Sequence, residues 1–465
     1  WLLPPPKRAR PCAGARHARP AMRRAALCGE RPGRRHFARL SNDWHRVAKE
    51  FGELRAGSEH RAAVERLAKR TAQPLALARL APRQLAAVAW AWSRLRFRDP
   101  DLCSVLCGRF VEALPCADPK SMATVAHALG ALGQGPEGTL EAVCKQASEQ
   151  LEAFSARDLS SLVYTLGRLQ CRHEAFLEAA CARAEGCVSS FNAQDLSNLI
   201  YGLSQLAFRE DGLLEAVCSN AKGRLQEFGA QGVSNMAYAL CVLNFRHEAF
   251  LAAVCVHSPG RLGEFNAQHI ANTVYALGLL DFSHDAFFHA LCLHAAPRLG
   301  EFKAQELSNT VYAMGLLSQR HESFLDDACE QAAMRLSEFN PQNVSNVVYA
   351  MGRLGIRHER LLLAVCSLPP QRLRGLTAQG LANVVYGLGL LSFRHRSFLR
   401  AVRDHTPALL PDFSPQHLAN TAHGLGLLGA SLSAGPACGP QVRHGPSAER
   451  EACGALSVGA VMVAK

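Results

Sequence analysis

The chain has 465 residues, 48 % of them hydrophobic, and a formal charge of +12. No apolar run reaches the ~18 residues of a membrane-spanning helix, so a transmembrane protein is excluded as an expectation. Ten arginines and Lys7 against Glu30 alone place +10 of that charge in residues 1–40, leaving +2 for the rest, so net charge does not mark the body as a nucleic-acid binder.

Residues 1–40 are rich in Arg, Ala and Pro and nearly free of acid, which suits an organellar transit peptide. Met22-Arg23-Arg24-Ala25-Ala26-Leu27 opens a tidier presequence within them, and a disordered basic tail is the competing reading. Residues 41–79 read as helical. Trp44, Val47, Ala48, Phe51 and Leu54 form an amphipathic stripe, expected to cap the first repeat.

From residue 80 to residue 429 one block of 37 residues recurs about ten times. Its first positions are Leu80, Ala117, Phe154, Phe191, Phe228, Phe265, Phe302, Phe339, Leu376 and Phe413. A fixed period of this size is the signature of a solenoid, in which each unit packs on its neighbours. Asp118, Ser155, Asn192, Asn266, Asn340, Thr377 and Ser414 at position 2 are good N-caps, and Pro82, Pro119, Pro341 and Pro415 follow where the first helical N–H needs no partner.

In the unit that begins at Phe302, helix A is predicted over 304–317. Leu307, Val311 and Met314 form its apolar stripe, and Ser308 and Gly315 allow a close approach of neighbours. Ser318-Gln319-Arg320 makes the turn. Helix B starts at His321-Glu322, buries Phe324, Leu325, Ala328 and Cys329, and ends near Arg335-Leu336. The fold class is therefore all-α: a right-handed α-solenoid of helix–turn–helix repeats. Residues 430–465, rich in Gly, Pro and Ala, read as a disordered tail.

Cys107, Cys144, Cys181, Cys218, Cys255, Cys292, Cys329 and Cys366 share position 28. Equivalent residues of stacked repeats lie on the order of 10 Å apart, too far for a disulfide, and no Cys-x-x-Cys occurs. They read as small buried hydrophobes.

Three rows are candidates for function. Gln194, Gln231, Gln268, Gln305, Gln342, Gln379 and Gln416 (position 4), Asn198, Asn235, Asn272, Asn309, Asn346, Asn383 and Asn420 (position 8), and Tyr164, Tyr201, Tyr238, Tyr275, Tyr312, Tyr349 and Tyr386 (position 11) form a stripe opposite the apolar one. Either the stripe is a polar surface, its amides bonding base edges and its tyrosines stacking on bases, or it is a hydrogen-bonded ladder between repeats. Position 5 varies among polar residues and Gly, and Asp158, Asp195, His269, Glu306, Asn343 and His417 are its base-reading candidates. The competing role is a capping box. Arg172, Arg209, Arg246, Arg320, Arg357 and Arg394 form a row in the turn that could follow a phosphate backbone, or be solvated there while the adjacent His caps helix B. A further row, Arg224, Arg261, Arg298, Arg335 and Arg372, is expected to cap the C-terminus of helix B. No Walker loop, His-Glu-x-x-His or nucleophile elbow occurs, so no catalytic residue, cofactor or metal ligand is expected.

The stretch Phe339-Asn340-Pro341-Gln342-Asn343-Val344-Ser345-Asn346-Val347-Val348-Tyr349-Ala350-Met351-Gly352-Arg353-Leu354 resembles helix A of octotricopeptide and heptatricopeptide repeats, the heptatricopeptide form matching the period. The likeness covers about 350 residues and extends to the helical regions of FAST-kinase-type mitochondrial proteins. It implies an organellar RNA-binding protein acting in RNA processing, stability, ribosomal RNA maturation or translation. It implies single-stranded RNA as ligand and ribosomal or other organellar ribonucleoprotein components as partners. A mitochondrial matrix location is favoured over the chloroplast. The octotricopeptide hallmark Pro-Pro-Pro-Glu-Trp is absent, and residues 430–465 do not read as the RAP domain in which many relatives end. The expectation is a monomeric, non-catalytic RNA binder. A protein–protein scaffold of the same architecture is the alternative, and a fragment of a RAP-type nuclease a weaker one.

Overall fold

The computed structural model describes residues 34–51, 58–73, 76–133, 135–136 and 138–430. The expectations for residues 1–33 and 431–465, and for Phe51 and Leu54 as side chains, lie outside what is described. Every described regular element is helical. Each 37-residue block from the one at Leu80 to the one at Leu376 forms helix A, a turn and helix B, as in Ala304–Leu316 and Glu322–Met334, and the block at Phe413 is described through its helix A, so the fold is an all-α solenoid. Helix A of that unit stops one residue short of the predicted end.

The chain divides into two compact units, Trp1–Thr139 and Leu140–Lys465. The division falls in the repeat beginning at Ala117, whose turn carries Gly135 and Pro136 where most others carry Arg and His. In the first unit, helix Arg34–Phe51 packs against Pro82–Leu95, helix A of the first repeat, and against Ser58–Thr71. Trp44 is fully buried there: its indole N–H donates to Thr71 Oγ1 at 2.9 Å and its ring meets Trp92 edge-on at 5.9 Å. The first helix begins at Arg34, so residues 34–40, assigned by composition to the leader, belong to a helix.

In the second unit, successive A helices lie side by side: Ala156–Leu169, Ala193–Gln205, Ala230–Val242, Ala267–Leu279, Ala304–Leu316, Pro341–Leu354, Ala378–Leu390 and Pro415–Leu427. Their starts are built as the sequence indicates. The side chains of Ser155, Asn192, Asn266, Asn340, Thr377 and Ser414 each accept the N–H of the residue three places on. Their ends carry a feature that the residue types conceal. Position 17 is left-handed in every described repeat, with φ between 49° and 66°, yet it is Gly only at Gly133, Gly355 and Gly429. A left-handed Ala or Asp costs about 1 kcal/mol, so the turn geometry is imposed by the packing around it.

At about 100° per residue, an A helix has four faces. Positions 6, 9, 10 and 13 point at helix B: Leu307, Val311 and Met314 are buried, as are Phe324, Leu325, Ala328 and Cys329 opposite them. Positions 14 and 12 form the seam between neighbouring A helices. A Cβ on Gly352 would lie 2.6 Å from Gly387 Cα, one on Gly315 2.7 Å from Ala350 Cα, and one on Gly389 2.7 Å from Gly424 Cα. Only glycine fits at these contacts, which is why the repeat tolerates its helix-weakening entropy. The fourth face carries positions 4, 8, 11 and 15, with positions 4 and 15 the most open to solvent and positions 8 and 11 between them half-buried to buried.

The row of position-28 cysteines is buried. Burial pushes the thiols of Cys181, Cys218, Cys255, Cys292, Cys329 and Cys366 up to about 12, so they are inert packing groups at neutral pH.

Candidate nucleic-acid interface

The stripe of Gln, Asn and Tyr lies on the solvent face of the A helices. The glutamines at position 4 are exposed or partly so, the tyrosines half-buried, and the asparagines range from half-buried to buried. The tyrosines form two runs of aromatic contacts along this face. Tyr164, Tyr201 and Tyr238, and then Tyr275, Tyr312, Tyr349, Tyr386 and His423, meet their neighbours at ring-centroid distances of 5.8–6.4 Å with planes 31–45° apart. A base slid between two rings needs parallel planes about 6.8 Å apart, twice the ~3.4 Å stacking rise. These rings fill that space with each other. The tyrosines therefore do not sandwich bases, and what they present is a hydroxyl each. Burial, with adjacent Tyr and Cys groups, pushes the Tyr275 hydroxyl up to about 12 and raises Tyr201 and Tyr312, so these groups stay protonated donors at neutral pH.

The ladder of hydrogen bonds expected at position 8 is absent among the described residues. The side chains of Asn198, Asn235, Asn272, Asn309, Asn346 and Asn383 have no protein hydrogen-bond partner, and only Asn420 accepts one, from Gln416 at 2.9 Å. The seam between A helices is already closed by the small residues at positions 12 and 14, which leaves position 8 facing out of it. Each central repeat thus presents an amide and a hydroxyl without a protein partner, beside an aromatic spacing near 6 Å.

Position 5 behaves differently, and its variability has a structural cause. It is the third residue of helix A and borders the preceding repeat. His269 Nδ1 accepts the Asn266 N–H, Glu306 Oε2 that of Lys303, Asn343 Oδ1 that of Asn340 and His417 Nδ1 that of Ser414. Histidine closes a capping box here as a carboxylate does, which sequence reasoning did not anticipate. Asp158 accepts from Ser155 Oγ at 2.6 Å. Asn343 and Asp195 are buried. Asn343 Nδ2 donates to Ser308 Oγ of the preceding repeat at 3.0 Å, and Asp195 accepts from Ser160 Oγ at 3.5 Å. Desolvation raises the Asp195 carboxyl above the ordinary carboxylate range. Position 5 is occupied with capping and with the seam.

The turn arginines are likewise engaged. Arg172 pairs with Glu174 at 2.6 Å, donates to the Leu206 carbonyl of the next repeat at 3.1 Å and lies 5.7 Å over the Phe208 ring. Arg209 pairs with Asp211 and reaches the Leu243 and Asn244 carbonyls; Arg357 pairs with Glu359 and covers Phe393. Arg246 and Arg320 pair with Glu248 and Glu322. Arg394 stands in the same row with no ion pair within 4 Å among the described residues. The histidines beside them cap helix B: His173, His247, His284, His358 and His395 each accept an N–H through Nδ1. The other arginine row does not cap helix B, as was expected of it. Arg224, Arg298, Arg335 and Arg372 reach back to the carbonyl of their own repeat's first residue, Phe191, Phe265, Phe302 and Phe339.

Sequence reasoning missed position 15. It is Arg168, Gln205, Val242, Leu279, Leu316, Arg353, Leu390 and Leu427 in the second unit. Arg168 and Arg353 are exposed and have no ion pair within 4 Å among the described residues, while Val242 and Leu279 are 42 % and 46 % exposed. The signal was available, since position 15 follows the tyrosine by four residues and so extends the same stripe.

Among the described residues no group of His, Cys, Asp and Glu could hold a metal ion, and no helix is long and apolar enough to cross a membrane. The profile of the family described as RNA-editing substrate-binding complex 6 protein matches residues 46–259 and 257–396. No curated protein matches the chain. A chain in "Homology model of the full-length AP-3 complex in an intermediate open conformation" is 11 % identical, covering 84 % of this chain and 82 % of that one at a TM-score of 0.27, too low to bear on fold or function.

Proposed function

The chain belongs to the RNA-editing substrate-binding complex 6 protein family, and on that premise we propose that it binds single-stranded RNA along the solvent face of its A helices, as a non-catalytic member of an RNA-processing assembly. One observation carries this reading: the unpartnered Asn amides and protonated Tyr hydroxyls recur once per repeat beside rings about 6 Å apart. That spacing suits one nucleotide of an extended strand per repeat, with base edges meeting amide and hydroxyl donors and acceptors. A duplex presents no such row of free edges. The assembly is read as mitochondrial, with RNA and ribonucleoprotein components as partners.

The test is binding of the full chain to single-stranded RNA and to duplex DNA over a range of salt. RNA should bind more tightly. The slope of log affinity against log salt should be shallow, about −2, because few cations on this face lack an acidic partner. Asn272→Leu, Asn309→Leu and Asn346→Leu combined should keep the melting temperature and lower RNA affinity at least tenfold. RNA binding that this variant leaves intact, or no binding by the wild type, overturns the reading.

A second reading rests on the exposed Val242 and Leu279 on the same face, which would suit an apolar protein partner. Recovery of a protein that competes with RNA for this face, or binds in its stead, would favour it.

A further inference from the structure

A residue that discriminates bases on a repeat scaffold must be exposed, lie beside the constant binding groups, differ between repeats and be free of structural duty. Position 5 differs but is consumed by capping and by the seam. Positions 4, 8 and 11 are exposed in part but hardly differ. Position 15 fits these conditions best: it varies, has no side-chain hydrogen bond or ion pair among the described residues, and is exposed in the second unit except at Gln205 and Leu316, which are half-buried. In chain order from the repeat at Phe154 it reads Arg168, Gln205, Val242, Leu279, Leu316, Arg353, Leu390, Leu427. It lies close enough to the tyrosine row that the guanidiniums of Arg168 and Arg353 act electrostatically on Tyr201 and Tyr312.

We infer that position 15 sets which bases the RNA face accepts, and that selectivity is concentrated in the repeats of Arg168, Gln205 and Arg353. This rests on the RNA-binding reading above and adds the sequence class of the ligand. A guanidinium offers the paired donors that match guanine O6 and N7, and a carboxamide matches adenine N6 and N7. Aliphatic side chains contact the flat face or edge of a base without reading its donors and acceptors, so Val242, Leu279 and Leu316 accept any base. With one nucleotide per repeat, the preferred ligand carries two guanines five nucleotides apart. An adenine adjoins the guanine at Arg168, and the three nucleotides that complete the interval are unspecified.

The experiment is a selection of bound RNAs from a random single-stranded pool. It uses the full chain as wild type, Arg168→Leu, Arg353→Leu and Leu279→Arg, with melting curves on each. All three sites are exposed, so the melting temperatures should agree. The wild type should select the two guanines. Arg168→Leu and Arg353→Leu should each erase one, with about tenfold weaker binding of the parent motif. Leu279→Arg should add a guanine two nucleotides from one and three from the other. Unchanged motifs in all three variants overturn the inference. So does a uniform loss of affinity across sequences with a shallower salt slope, which would make the two arginines phosphate contacts. A wild type that binds RNA without any base preference defeats position 15 alone, and one that binds no RNA defeats the RNA-binding reading as well.

Discussion

Arg168 and Arg172 stand four residues apart in one repeat, as Arg353 and Arg357 do in another. Arg172 is held by Glu174, a carbonyl of the next repeat and the Phe208 ring, while Arg168 has no ion pair and faces solvent. The turn row, which recurs almost without variation, is held by the scaffold at Arg172, Arg209, Arg246, Arg320 and Arg357. The face row, which varies, is left open. Recurrence in a repeat therefore marks what holds neighbours together, and a basic residue becomes available to a ligand where the pattern lapses. The Asn and Tyr row is the exception that gives the face its chemistry, since it recurs and still lacks partners.

The contrast depends on the seam that sets the spacing of the A helices, and the largest effect is expected there. Gly352→Ala drives a Cβ against the Gly387 backbone, which cannot yield. It should cost about 3 kcal/mol in urea unfolding and weaken RNA binding along with stability. A variant as stable as wild type would show that the A helices slide apart freely and that the 6 Å spacing is not fixed.

The two arginine rows come next. Arg172→Ala should lose about 1 kcal/mol of stability, chiefly through its hydrogen bond to the next repeat, and leave the salt slope of RNA binding unchanged. Arg168→Ala should instead hold stability within about 0.5 kcal/mol and reduce affinity for the RNA that carries the guanine it reads. If the two variants behave alike, the distinction between closed and open rows fails.

Asp195 sharpens the same contrast through pH. Its carboxyl is raised by burial in the folded chain, so it favours folding where it is protonated, below the ordinary carboxylate pKa. That contribution is lost as pH rises through the raised folded value. Asp195→Asn should therefore be more stable than wild type at pH 7, with the gap closing on acidification. Asn343 already occupies the equivalent site with a hydrogen bond to Ser308. The smallest structural effect is expected for Tyr312→Phe, which keeps the ring contacts to Tyr275 and Tyr349. Stability in urea unfolding should change by no more than about 0.5 kcal/mol, and RNA affinity should fall about two- to tenfold for one lost hydrogen bond. Unchanged affinity would remove the hydroxyl from the binding surface.

Much of the scaffold was legible because its signals are local. The caps at Asn192 and Asn340, the apolar stripe Leu307–Val311–Met314 and the glycine at Gly315 each act through neighbours in sequence or through one helical face. Three features were not. The left-handed residue at position 17 is concealed because Ala207, Asn244 and Ser318 adopt a conformation that glycine would announce. The short 3₁₀ turn before most repeats, such as Leu336–Glu338, was not foreseen as an element. The more distant partners of position 5 and of the arginine rows, such as Ser308 for Asn343, Leu206 for Arg172 and Phe191 for Arg224, lie about one period away, beyond any local pattern. The role of the Asn and Tyr face was undecidable from residues alone, because a bonded ladder and an open surface use the same residue types at the same spacing.

The stitches between repeats have a consequence for how such a chain can change. Positions 14 and 12, 7 and 5, and 19 and 16 meet in the same pairs wherever they are formed, as Gly315 with Ala350, Ser308 with Asn343 and Arg172 with Leu206. Removing one whole interior block joins two neighbours that already carry complementary edges. The units are interchangeable parts, and the length of strand the face could measure is set by how many are threaded together. Such a chain can lengthen or shorten its reach by unequal crossing-over of its gene, one repeat at a time, without inventing a new contact.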